Sequence, residues 1–163
     1  MPDVPSKHPP IVIGWREWVS LPKLGLKAIK AKIDTGARTS SLHAYDVEEF
    51  KRGGKPMVRF RVHPEQRDSR RVVQCEAPLV DHRKVRPSSG HAELRPVILT
   101  AVVLMDQTWE LELTLTRRDE MGFRMLLGRQ ALRRRFVVDP GASFLNGRRR
   151  SGKRLERRQG APK

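Results

Sequence analysis

Residues 108–116 read Thr108-Trp109-Glu110-Leu111-Glu112-Leu113-Thr114-Leu115-Thr116. Trp109, Leu111, Leu113 and Leu115 fall on one side of an extended chain, and Glu110, Glu112, Thr114 and Thr116 on the other. Successive side chains of a strand point to opposite faces, so this alternation predicts a strand with one buried face. The stretch before it, residues 96–105, is apolar and rich in β-branched side chains, and Asp106-Gln107 supplies a turn between the two. Working outward, Val58, Phe60 and Val62 alternate with Arg59 and Arg61 after a Gly53-Gly54 turn. Ile29, Ala31 and Ile33 alternate with Ala28, Lys30 and Lys32 in a strand that runs into Asp34. Residues 11–19 and 72–75 are further strands, and a helix is predicted once, over 129–134, with Leu132 turned inward. Many short strands separated by turn signals predict an all-β sandwich or barrel with one short helix near the C-terminal end.

The 163 residues suffice for one domain with its own core. Its charge is lopsided: 34 Lys and Arg against 18 Asp and Glu give +16. Residues 146–163 carry +7 of this, with Leu155 and Ala161 as their only apolar side chains. Such a segment buries too little surface to offset its ordering entropy, so it is expected to be a disordered basic tail. A tail of this kind contacts nucleic acid by releasing counterions from phosphates, or is simply solvated. Residues 1–10, with four prolines, are expected to be a second disordered end, leaving 11–145 as the domain. The single cysteine, Cys75, excludes an internal disulfide framework and fits a reducing compartment. The longest apolar run, 97–105, is about half of a membrane span, and the N-terminus has no apolar segment of signal-peptide length. These features predict a soluble, cytoplasmic protein without a membrane partner. Gly147, four residues, then Gly152-Lys153 nearly spells a phosphate-binding loop, but Arg154 stands where a hydroxyl must meet magnesium.

The candidate chemistry lies where the strand ending at Ile33 delivers Asp34-Thr35-Gly36-Ala37. Glycine lets the backbone turn sharply and bring N–H groups to the carboxylate, and the threonine hydroxyl can lock the loop. Later, residues 123–127, then Gly128-Arg129-Gln130-Ala131-Leu132, then 136–139 read as apolar strand, glycine, short helix and strand. This order resembles the retropepsin-type aspartic proteases, in which an Asp-Thr-Gly-Ala loop is followed by two apolar residues, Gly, Arg and a short helix. The likeness narrows further. Ile13-Gly14, Arg16-Glu17, Leu21-Pro22, the run 31–44, Ser88-Ser89-Gly90, Arg95-Pro96-Val97-Ile98, Leu113-Thr114-Leu115 and 125–129 resemble a bacterial family labelled "ATP-dependent zinc protease", which includes RimB-like proteins.

That resemblance, covering about residues 11–145, implies a closed retropepsin-like barrel. It also implies a peptidase that trims glutamates added to a ribosomal protein by RimK-type ligases. Asp34 would be its catalytic carboxylate, Thr35 and Gly36 would shape the loop, and Ala37 and Gly128 would support it. Aspartic proteases use two carboxylates that share one proton. This chain has one Asp-Thr-Gly, so either a homodimer pairs two copies of Asp34, or Asp139 or Asp119 supplies the second group. Retropepsins have an acid where this chain has Arg38, and an apolar residue where it has Lys32. Both changes add positive charge beside the site and suit a carboxylate-rich substrate, because guanidinium binds carboxylate in a bidentate fork. Arg38, Arg129, Arg83, Arg86 and Arg95, with Ser89 between the last two, are the expected substrate-binding residues. The family's metal label finds no His-Glu-x-x-His here: His8, His43, His63, His82 and His91 are scattered. No metal or other cofactor is expected. Two rival readings stand beside the peptidase: a basic ribosome- or RNA-binding module, and an inactive barrel serving as an adaptor. Against the first, the chain has only nine aromatics and no RNA-binding motif.

Overall fold

A computed structural model describes residues 9–65, 70–86, 91–117 and 122–147. The elements run β1 Ile11–Gly14, β2 Arg16–Leu21, β3 Leu26–Ile33, β4 Ser40–His43, β5 Tyr45–Arg52, β6 Lys55–Val62, β7 Val73–Val85, β8 Glu93–Leu104, β9 Gln107–Thr116, β10 Met125–Leu127, α1 Arg129–Leu132 and β11 Phe136–Asp139. Six strands close a barrel in the order β2-β3-β10-β4-β9-β8, and β8 returns to β2 through the single pair Ser20–Val103. Beyond β8, the strands β7, β6 and β5 extend the sheet as antiparallel neighbours. β1 and β11 pair in parallel as a separate two-stranded sheet. This is the all-β, closed retropepsin-like barrel with one short helix that the sequence predicts. Ser88-Ser89-Gly90, Asp119, the first eight residues and the tail from 148 onward lie outside the described residues.

The inside of the ring is built from alternate residues of each strand. Ile29, Ala31 and Ile33 of β3, Leu42 of β4, Leu113 and Leu115 of β9, and Met125 and Leu127 of β10 are all buried in one core. Each fully buried Leu or Ile contributes about 1.5–3 kcal/mol. With only one residue pair joining β2 to β8, the core holds that seam more than the ladder does. No helix among the described residues is long and apolar enough to cross a membrane.

Five local differences from the sequence reading have physical causes. Residues 11–19 form two strands rather than one, because at Trp15 the chain changes partners. β1 pairs with β11, β2 pairs with β3, and the Trp15 N–H turns to the Ala142 carbonyl at 2.9 Å. The β8–β9 turn falls at Met105-Asp106 instead of Asp106-Gln107, with φ of 53° and 62°. That left-handed geometry favours glycine or asparagine, yet the Met105 N–H is held by the Asn146 side-chain oxygen at 3.0 Å. The helix stops at Leu132, since Arg134 adopts φ 66°. The strand expected at 72–75 is the start of β7, thirteen residues long, and β5 (Tyr45–Arg52) escaped notice because its burial does not alternate cleanly. Glu76 compensates on that side of the sheet, accepting from Arg52 at 2.7 Å and Arg59 at 3.1 Å.

The chain end of the domain is fastened by a buried acid. Glu17 is fully buried, and its carboxylate accepts N–H groups from Gly14 (2.7 Å), Leu145 (3.0 Å) and Asn146 (2.9 Å). Asn146 also donates to the Trp18 carbonyl at 2.8 Å, and Phe144 stacks on Trp18. Asn146, expected to open the tail, is therefore bonded into the body.

Candidate active site

Asp34 follows β3 and stays in its ladder: its N–H donates to the Leu127 carbonyl of β10 at 2.9 Å. The chain then folds back on the side chain. Oδ1 accepts from the Gly36 N–H at 3.0 Å and the Ala37 N–H at 3.2 Å. Among the described residues, the hydrogen bonds to this carboxylate all fall on Oδ1. Two donors on one oxygen fix the plane of the carboxylate. A side chain on Gly36 would stand 3.2 Å from Oδ1, so the turn is tight as well as sharp.

The second strand–helix segment clamps this loop from behind. Arg129 and Gln130 at the start of α1 donate their N–H groups to the carbonyls of Ala37 (2.7 Å) and Arg38 (3.1 Å). The Arg129 guanidinium reaches the carbonyls of Thr35 (3.1 Å) and Gly36 (3.3 Å). Arg129 thus spends its guanidinium on loop carbonyls and positions the loop. Thr35 is exposed and enters these contacts through its carbonyl, not through the hydroxyl that the sequence suggested as the lock. The buried hydroxyl at the site belongs instead to Ser40, whose Oγ accepts the Gly128 N–H at 3.0 Å. A serine on an inner strand position carries little signal by itself, which is why Ser40 escapes sequence reading.

The other expected residues are placed as follows. Arg38 is exposed beside the loop. Arg83 and Arg95 face each other across β7 and β8; Arg83 donates to Thr114 Oγ1 at 3.1 Å and lies 3.6 Å from Glu112. Arg95 is 8% exposed and donates through Nε to the Leu115 carbonyl at 2.7 Å, while its Nη2 is buried without a hydrogen-bond partner among the described residues. Burial above all, and then the charge of Arg117, pull the Arg95 guanidinium below its ordinary value, with Glu93 opposing. Arg86 is exposed at the end of β7. Asp139 caps its own turn, accepting the Gly141 N–H at 2.9 Å, and pairs with Gly14 in the separate small sheet. No group of three or more His, Cys, Asp or Glu side chains among the described residues is arranged to hold a metal ion.

A closed barrel with one Asp-Thr-Gly loop, backed by a Gly-Arg helix start, defines the retropepsin-like class of aspartic peptidase folds. Residues 12–149 match the model of the RimB-like family, described as retropepsin-like aspartic endopeptidase RimB, and the chain belongs to that family. A protein of Shewanella pealeana named "Probable alpha-L-glutamate ligase" is 48% identical over 136 residues, which are 83% of this chain and 30% of the relative. A protein of the same name from Desulfotalea psychrophila is 50% identical over 129 residues, 79% of this chain and 28% of the relative. The chain thus spans less than a third of the length of these curated relatives. A crystal structure of a Legionella pneumophila protein of unknown function superposes with a TM-score of 0.70 at 30% identity, covering 83% of this chain and 98% of that one.

Proposed function

We propose that this chain is an aspartic peptidase that hydrolyses glutamate-rich protein tails with Asp34 as its catalytic carboxylate. The observation that carries the reading is the Asp34 loop. Two backbone N–H groups fix Oδ1, and Gly128 and Arg129 hold the loop that supplies them. One such loop per chain gives one carboxylate, so the working site is a pair of Asp34 residues in a homodimer. Val12 and Val137 are register partners on β1 and β11, each about half exposed (50% and 52%), and offer an apolar surface for a second copy. In the pair, one carboxylate is charged and one protonated. The charged group takes a proton from water as its oxygen attacks the peptide carbonyl carbon. The protonated one donates toward the carbonyl oxygen, and the C–N bond then breaks with a proton delivered to the departing amine.

The substrate reading rests on two supports. Lys32 and Arg38 flank the loop in the chain, and relatives sharing this domain bear the name of glutamate ligases. A domain found in such chains suits a substrate made of added glutamates, with a ribosomal protein tail as the candidate. The test incubates wild-type protein and Asp34→Asn with a peptide ending in an oligoglutamate run, followed by mass spectrometry. Wild type should shorten the run and the variant should not. Equal cleavage by both sinks the aspartic mechanism, and absence of cleavage by wild type together with tight RNA binding favours the RNA-binding module.

A further inference from the structure

Side chains two residues apart on a strand share a face, so Lys32 lies on the side of β3 that Asp34 continues, opposite the buried Ile33. The sheet register carries that face across the barrel wall. Lys32 pairs with Leu126 of β10, Leu126 with Ser41 of β4, and Ser41 with Thr114 of β9. One step further from the loop, the His43 N–H donates to the Arg124 carbonyl at 2.7 Å, and His43 pairs with Thr116. Lys32, Ser41, His43, Thr116 and Arg124, together with the apolar Phe123, Met125 and Leu126, line one small cavity on this face. We infer that this cavity is a subsite for a glutamate side chain of the substrate, with Lys32 and Arg124 as its specificity-determining cations.

The residue types decide the ligand. The face beside a catalytic aspartate of a general endopeptidase would be served by apolar side chains, which gain from burying substrate hydrocarbon. Here an ammonium, a guanidinium and two hydroxyls stand beside Phe123, Met125 and Leu126, a mixture that suits a side chain with a short hydrocarbon stem and an anionic end. A second, independent observation lies farther along the same face. Arg83 donates to Thr114, and its cross-strand partner Arg95 carries a buried Nη2 without a hydrogen-bond partner among the described residues. A buried guanidinium N–H unmatched among the described residues has room for a further acceptor, for which a substrate carboxylate is suited. Arg95 on β8 is three strands from Arg124, which immediately precedes β10, roughly 14 Å between backbones at the usual strand spacing. Each guanidinium is anchored through its Nε, Arg95 on the Leu115 carbonyl and Arg124 on the Glu65 carbonyl, and the two positions are assigned to two different glutamates of one acidic chain.

The inference rests on the peptidase reading for its substrate, but its test is a binding measurement independent of catalysis. Full-length Asp34→Asn protein is titrated with two fluorescent peptides of equal length, one carrying glutamates and the other glutamines at the same positions. The glutamate peptide should bind roughly tenfold more tightly per recognised carboxylate. Lys32→Gln and Arg124→Gln should each shrink that ratio while leaving the glutamine peptide's affinity unchanged. Arg95→Lys, which keeps the charge but not the fork, should shrink it as well. Equal binding of both peptides overturns the subsite even if wild type cleaves, and so does equal competition by an RNA oligonucleotide. A Lys32- and Arg124-dependent preference in a protein that cleaves nothing preserves the subsite and overturns the peptidase reading.

Discussion

The Gly128 N–H donates to the buried Ser40 hydroxyl at 3.0 Å, binding the end of β10 to the start of β4 directly beneath the Asp34 loop. At the same place Gly128 lies against Thr39 and Ala37 so closely that a Cβ would overlap the Thr39 carbonyl and stand 2.9 Å from the Ala37 oxygen. Those are backbone atoms, so they cannot rotate away. Gly128→Ala should destabilise the fold by about 1–3 kcal/mol through overpacking, read as a drop in melting temperature. Ser40→Ala should cost a similar amount by orphaning a buried N–H. An unchanged melting curve for both would mean that this junction does not hold the loop.

Arg129 spends two hydrogen bonds on the carbonyls of Thr35 and Gly36. Arg129→Lys keeps the charge but presents a single ammonium in place of the guanidinium fork. The expected result is a lower kcat on an acidic peptide with little change in KM, because the loop loses its positioning and not its charge. A raised KM at constant kcat would assign Arg129 to substrate binding instead.

Glu17 accepts three backbone N–H groups in a fully buried setting. Glu17→Ala leaves all three donors without an acceptor, each worth about 1–3 kcal/mol. The variant should release residues 142–147 before the barrel opens, seen as fast amide exchange at Leu145 and Asn146 with slow exchange retained in β9. Uniform exchange throughout the chain would show that this clasp and the barrel unfold as one unit.

Burial pushes the Cys75 thiol up to about 12, and its Sγ lies 3.4 Å from the Leu24 carbonyl oxygen. The thiol should react with a disulfide reagent at pH 8 only after denaturant is added. The sign of the pH effect follows from linkage. Between roughly pH 9 and 12 the unfolded chain ionises this thiol while the folded chain keeps its proton, so stability falls as pH rises. Melting temperature should therefore decline more steeply over that window for wild type than for Cys75→Ala. Identical slopes would sink the assignment.

Period-two alternation over residues 108–116 and 29–33 was enough to read the strands, because a barrel wall buries one face and leaves the other wet, and that asymmetry is written locally. The Asp34-Thr35-Gly36-Ala37 loop was equally legible, since a tight turn under a carboxylate restricts which residues can follow it. Ser40 under Gly128, Arg129 on two loop carbonyls and Glu17 clasping residues 145 and 146 were not legible. Their partners lie 88, 94, 93, 128 and 129 residues away in the chain, and local periodicity has no access to such pairings. The same holds for the row from Lys32 through Ser41 to Thr114. Sequence shows three polar residues on three strands, and only the parallel and antiparallel registers of β3, β10, β4 and β9 set them side by side on the face that Asp34 continues. A one-residue slip in any of those registers would have turned that strand's side chains to the other side of the wall.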